Sequence, residues 1–385
     1  MKDHWAIEDI KRAQEGKPSR RQVLAGGSAI LGGAFMAPFM PNGAQAAVGG
    51  ELRLLAWETM PMEEYLKDFL TKNNMSLKIS SIATQDDVQV QLVGNTPTVI
   101  DVTSYSVGYE DYYRKQLAIV SVLDKAQLPN YNADDIFPEF FMHKNWAIGD
   151  DLYAVPVIWG LNTLVYNPAL VPEPKTYKHL LKPEYKGQLT FIDDTIATWP
   201  MIARVAGLGD KFPNLTTAEL AQAFEAVLPY RAQSKLFAAS IGDTINLFVN
   251  KEIGVMFCGW AGMPLETGPQ GVKTVSVIPE EGGAMWCDAW FIPKTAVNRD
   301  SAHAYINELV GGAGNAAIAN KNVCGTVNRK SIAALDETTR AQVNYDNIAE
   351  VLKKSPIQGM PPRQSTEFAT FDQWTSAWED FKLGF

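Results

Sequence analysis

Trp286-Cys287-Asp288 is the stretch of this sequence best suited to chemistry. Residues two apart on an extended chain share a face, so the indole and the carboxylate project together. Asp is depleted in strands, so its presence here asks for a reason. A carboxylate beside a ring face suits a bound cation: one supplies charge, the other the attraction of the ring quadrupole. The plain alternative is a strand end with a partly buried Asp. Trp57 raises the same question, because it ends the first strand-like run and ligands of open α/β sheets bind beyond such ends. Asp193-Asp194 follows the run Leu189 to Ile192, where one of them would either face a ligand or cap the next helix. Tyr105, two residues past the run ending at Thr103, has the same two readings.

Other chemistries lack their signatures. From Ala47 onward there is no HExxH, no P-loop and no GxSxG. Gly312-Ala313-Gly314-Asn315-Ala316-Ala317 matches GxGxxA, but Ala302 to Val310 before it reads as a helix, whereas a dinucleotide fingerprint follows a strand. Its glycines are expected to cap that helix. The three cysteines, Cys258, Cys287 and Cys324, form no CxxC, and the four histidines show no metal-ligand spacing. No metal and no cofactor is expected.

The elements that must position the candidates alternate. Leu52 to Trp57 predicts a strand, and Met62 to Asn73 a helix with Tyr65, Leu66, Phe69 and Leu70 on one face. Ser76 to Ile82 predicts a strand, Asp86 to Val93 a helix, Thr98 to Thr103 a strand and Tyr105 to Lys115 a helix. A second unit opens near Tyr153. It has strands at 188–192, 253–257 and 284–292, helices after Asp194 and Thr217, and a closing helix bearing Trp374, Trp378 and Phe381 as core packing. This alternation predicts an α/β fold with helices on both faces of a largely parallel sheet.

The N-terminal segment addresses the chain. Arg20-Arg21 precedes an uncharged, Gly- and Ala-rich run, Gln22 to Gln45, that closes with Ala44-Gln45-Ala46. This is the layout of a twin-arginine signal peptide over 1–46, cleaved near Ala46/Ala47, with the periplasm as destination. The full chain carries a formal charge of −9. The leader holds six basic and four acidic residues, so the remainder carries −11. Such acidity argues against nucleic acid or an anionic membrane as partner and mildly favours a cationic ligand.

These residues resemble the periplasmic spermidine/putrescine (polyamine)-binding proteins of ABC importers. The likeness is carried by Tyr153-Ala154-Val155-Pro156-Val157-Ile158-Trp159-Gly160, by Lys182-Pro183-Glu184-Tyr185-Lys186-Gly187 with Asp193-Asp194, and by the stretch Pro279 to Asp288 followed by Ile292-Pro293. The resemblance implies a type II, flytrap architecture of two lobes, each a sheet flanked by helices. Lobe 1 would be 47–156 plus 289–330, and lobe 2 would be 157–288 plus 331–385. By position it implies ligand contacts from Trp57, Thr103, Tyr105, Asp194, Phe257, Trp286, Asp288 and Gln364. This chain departs from the family pattern at Ala197, Met60 and Cys324, which stand where a carboxylate and two tyrosines are expected. Glu58 and Cys324 are further candidates, Glu58 as a compensating carboxylate. A Cys258–Cys287 disulfide is an option if their strands are neighbours, with buried thiols as the alternative.

The function expected is therefore an exported, monomeric solute-binding protein, not an enzyme. It would hold a small cationic solute, a polyamine or related amine, and deliver it to a permease. A binding protein for a non-polyamine solute and an exported cofactor-dependent enzyme are the rival readings.

Overall fold

A computed structural model describes residues 48–384 apart from 83, 84, 95, 96, 344 and 358; the expected leader lies outside the described residues. The chain starts with β1 (Gly50–Trp57), α1 (Glu63–Lys72), β2 (Met75–Ile82), α2 (Gln85–Val93) and β3 (Val102–Ser106), and β1 pairs in parallel with both β2 and β3. Helix α1 forms because Leu66 and its neighbours Tyr65, Phe69 and Leu70 give it one apolar stripe. Glu63 and Glu64 in its first turn and Lys72 in its last complement the helix dipole.

A short hairpin, β4 (Ala147–Ile148) and β5 (Asp151–Leu152), precedes the long β6 (Val155–Tyr166), every residue of which is buried. Then follow β7 (Leu189–Ile192), α3 (Thr195–Val205), α4 (Thr217–Gln233), β8 (Ser234–Ala238), α5 (Ile241–Val249), β9 (Val255–Trp260), α6 (Met263–Thr267) and β10 (Val275–Val277). The chain continues through β11 (Ala284–Phe291), α7 (Arg299–Val310), α8 (Gly312–Asn322), β12 (Gly325–Thr326), α9 (Glu337–Arg340), α10 (Ile348–Lys354) and α11 (Phe371–Leu383).

The strands run β2-β1-β3-β11-β6-β9-β7-β8, with β10 and β12 also bonded to β6. The ends of this array are parallel, as the alternation predicts, but its middle is not. β6 runs antiparallel to β9, β10, β11 and β12, and β11 antiparallel to β3. The reason lies in the core. One apolar cluster takes residues up to Leu161 and from Met285 onward; a second takes Leu164 to Ala284 and the terminal helix. β6 therefore carries the chain out of one lobe and β11 carries it back, and strands that go and return must oppose each other. Leu335, Ile348 and Leu352 pack into the first cluster.

Three local expectations differ. β3 starts at Val102 and runs to Ser106, and the expected helix over 105–115 shrinks to a π-turn, Tyr112–Gln116. Gly108 interrupts it at φ +107, where Met360 packs so close that a Cβ would lie 2.3 Å from its Cγ. The GxGxxA segment does not cap α7 but forms the first turns of α8. Gly311 caps both α7 and α8, and Gly314 lets them meet, since a Cβ there would lie 2.2 Å from the Glu308 carbonyl oxygen. Helix α11 buries Trp374, Trp378 and Phe381 and begins with a Thr370/Gln373 capping box. Each such aromatic contributes about 1.5–3 kcal/mol by burial.

Candidate ligand-binding site

The two crossover strands build the floor of a cavity of about 840 Å³ between the lobes. Across the antiparallel pair, Trp286 faces Gly160 and Asp288 faces Ile158, while on its other side Asp288 faces Ser106 of β3. Asn162 of β6 faces Trp260 at the end of β9. Directly paired residues share a sheet face, so this one register brings Ser106, Ile158, Asn162, Trp260, Trp286 and Asp288 to the same cavity. The pairing slips between Asp288 and Ala289, leaving Val157 as a bulge whose carbonyl accepts the Asn315 Nδ2–H at 2.6 Å. Bulges re-aim side chains next to functional sites, which accounts for an Asp tolerated within a strand.

Two features shape the floor. A Cβ on Gly160 would lie 2.3 Å from the Trp286 ring, so the absent side chain is what lets the indole lie flat on β6. Asp288 is 7% exposed and accepts the Ser106 hydroxyl proton at 2.5 Å. Burial pushes its pKa up to about 6, against the lowering effect of that hydrogen bond. Among the described residues no cation pairs with this desolvated carboxylate.

That raised pKa predicts a pH effect without ligand. From an unfolded value of 3.8, a folded value of about 6 means that the stabilising contribution is fully present below about 4. It is lost as pH rises through 6. The Asp288→Asn variant is therefore expected to gain on the order of 2–3 kcal/mol relative to wild type between pH 4 and pH 8, with chemical denaturation as the measurement. A gap independent of pH would contradict it.

The walls come from both lobes. Trp57, Met60 and Gln85 stand on one side; Ile192, Asp193, Asp194, Ile241 and Glu266 stand on the other. Asp194 lines the cavity and also caps α3, accepting the Ala197 N–H at 3.3 Å. Asp193 is tied to the terminal helix by Trp378 Nε1 (2.6 Å) and Lys382 Nζ (2.7 Å). Tyr109 closes one side of the cavity. With Asp193 already matched by Lys382, three further carboxylates, Asp194, Glu266 and Asp288, line the cavity with one basic residue among the described ones, Lys321, whose Nζ donates to the Pro61 carbonyl at 2.9 Å. An anionic cavity with three indoles and a phenol can hold an alkylammonium group by charge and its methylenes by apolar contact.

Of the residues expected to meet a ligand, Trp57, Asp194, Trp286 and Asp288 come together here. Thr103 and Tyr105 do not. They lie on the opposite face of β3 from Ser106, fully buried, and the Tyr105 hydroxyl donates to the Asn145 carbonyl at 3.0 Å. Phe257 is not a wall either. Its ring stacks on Phe191 at 4.4 Å and meets Tyr177 at 4.6 Å inside the second core, and Trp260 is the aromatic that reaches the cavity. Gln364 lines a neighbouring cavity. Glu58 is solvent-exposed, and Cys324 is buried just before β12, the short strand that pairs with β6. All three cysteines are free thiols, so the disulfide option is not taken, and the Cys258 thiol donates to the Ala197 carbonyl at 3.0 Å. Sequence reasoning missed Ser106, Tyr109, Asn162, Trp260, Gln85 and Lys321. Trp260 alone had a usable signal, as an aromatic at the end of a strand.

Two α/β lobes linked by crossover strands, with a polar-floored cavity between them, define a solute-binding protein of the flytrap type. The chain belongs to the bacterial extracellular solute-binding protein family, whose model matches residues 64–344. It is 26% identical over 293 residues to a spermidine/putrescine-binding periplasmic protein of Salmonella typhimurium, spanning 75% of this chain and 79% of that one. It is likewise 26% identical over 306 residues to a putrescine-binding periplasmic protein of Escherichia coli, spanning 74% and 79%. The solved structure of a spermidine/putrescine ABC transporter substrate-binding protein from Streptococcus pneumoniae superposes with a TM-score of 0.74 at 19% identity. That match covers 87% of this chain and 99% of the other. Among the described residues no helix is long and apolar enough to cross a membrane.

Proposed function

We propose that this protein binds a small organic cation, a polyamine such as putrescine or spermidine or a related amine, and delivers it to the permease of an ABC importer. One observation carries the reading: a buried carboxylate, Asp288, that shares a cavity floor with Trp286 and has a hydroxyl, not a cation, as its hydrogen-bond partner. In this reading Asp288 takes one ammonium group and Asp194 a second. Trp57, Trp260, Trp286 and Tyr109 wall the methylenes. The activity is binding, not catalysis. The protein works as a monomer in the periplasm, after twin-arginine export and cleavage near Ala46. The limits proposed for its lobes are those of the resemblance, with 331–352 moved to lobe 1 because Leu335, Ile348 and Leu352 pack there.

A second reading has its own support. Lys321 lines the same cavity, and Ala197 puts no charge beside Asp194. Both would suit an amine that carries a carboxylate at its other end. Thermal melting with putrescine, spermidine, ω-amino acids and sugar acids separates the readings. A ligand at a hundred times its Kd adds about 2.7 kcal/mol of stability and raises the Tm. The di- and triamines are expected to raise it and sugar acids to leave it unchanged. A rise with ω-amino acids alone favours the second reading, and a rise with sugar acids alone defeats both.

A further inference from the structure

The second cavity, about 750 Å³, shares Tyr109 with the first but has the opposite character. Arg114, Lys115, Lys144 and Arg363 line it, against Glu110 and Asp111. Asp111 is already matched, accepting from Lys115 Nζ at 2.8 Å and Arg114 Nη2 at 3.1 Å. Glu110 is 8% exposed and accepts the Gly108 N–H at 2.5 Å; burial pushes its pKa to about 7, so its negative charge is weakly held. A basic cavity thus sits in a strongly acidic chain.

Its donors are not used up. The Arg114 side chain is only 5% exposed, and its Nε and Nη1 are buried without a hydrogen-bond partner among the described residues. The same holds for Nδ2 of Asn145, a residue 3% exposed. A buried, unmet donor is a cost that a bound acceptor relieves, and the cost is larger for a charged group. The opposite wall comes from the second lobe. There Arg363 lies 3.7 Å over the Phe371 ring and 4.9 Å over Tyr112 of the first lobe.

We propose that this cavity is a separate site for a small oxyanion, a carboxylate or phosphate, held by the Arg114 guanidinium and the Asn145 amide and framed by Lys144 and Arg363. An oxyanion offers several acceptors to donors that the protein leaves unmet, and guanidinium is the group best matched to it. Because both lobes wall the cavity, the ion would also brace one against the other. The site uses none of the carboxylates or indoles assigned to the amine, so its failure leaves that reading untouched.

The test is thermal melting of the full chain with inorganic phosphate, succinate or citrate, each against chloride at matched ionic strength. At least one oxyanion is expected to raise the Tm at millimolar concentration, and the phosphate and dicarboxylate arms tell the two sources apart. Arg114→Gln is expected to need at least tenfold more of that ion for the same rise. Lys144→Glu, at an exposed position, is expected to lose most of the response while its response to amines stays that of wild type. No rise beyond chloride, or a wild-type oxyanion response from Lys144→Glu, would overturn the proposal.

Discussion

Replacing Asp288 by Asn is expected to weaken binding of a diamine by about 10- to 100-fold, with the fold intact. A hydrogen bond to a charged group is worth about 1.5–3 kcal/mol net, and every 1.4 kcal/mol is tenfold in affinity. Asn keeps the volume and can still accept from Ser106, so the change removes charge and little else. The same substitution carries a pH signature. Wild-type affinity is expected to fall as pH drops through about 6, because a proton then competes with the ammonium for the carboxylate. The variant, with nothing to protonate there, is expected to be flat across that range. Titration calorimetry at pH 5 and pH 7.5 measures both effects, and equal affinities for the two proteins would remove Asp288 from the site.

Trp286→Ala is the second large effect, roughly thirtyfold or more in Kd. The indole supplies a cation–π contribution of about 0.5–2 kcal/mol, rising as water is excluded, together with the apolar surface that covers the methylenes. Its ring lies on Gly160 with no side chain beneath to take its place, so truncation opens the cavity instead of repacking it. Trp286 is half-buried, and its loss is expected to lower the Tm only modestly. A Kd within twofold of wild type would show that the ring walls nothing.

How far the site could be read from the chain turns on strand parity. Trp286 and Asp288 are two apart in one strand, and that spacing alone puts them on a common face whichever face it is. Thr103 and Tyr105 share this logic but lie one residue out of step with Ser106, and a single step turns a side chain from cavity to core. Nothing local sets that step; it follows from Asp288 pairing with Ser106 across 182 positions of sequence. Phe257 and Trp260 pose the same problem, sharpened by the irregular register between Thr163 and Val165 that re-aims the end of β9. Gln364 and Arg363 sit in a segment without regular structure, where spacing carries no directional information. The alternation of strands and helices was legible because apolar periodicity is local. The antiparallel middle of the sheet was not, because it records a return between lobes that only the assembled cores reveal.

A crystal structure with putrescine or spermidine bound tests the central claim most directly. The account predicts an amine nitrogen about 2.7–2.9 Å from an Asp288 carboxylate oxygen, with the alkyl chain lying across the Trp286 ring. An amine seated elsewhere, with Asp288 still facing only Ser106, would contradict it.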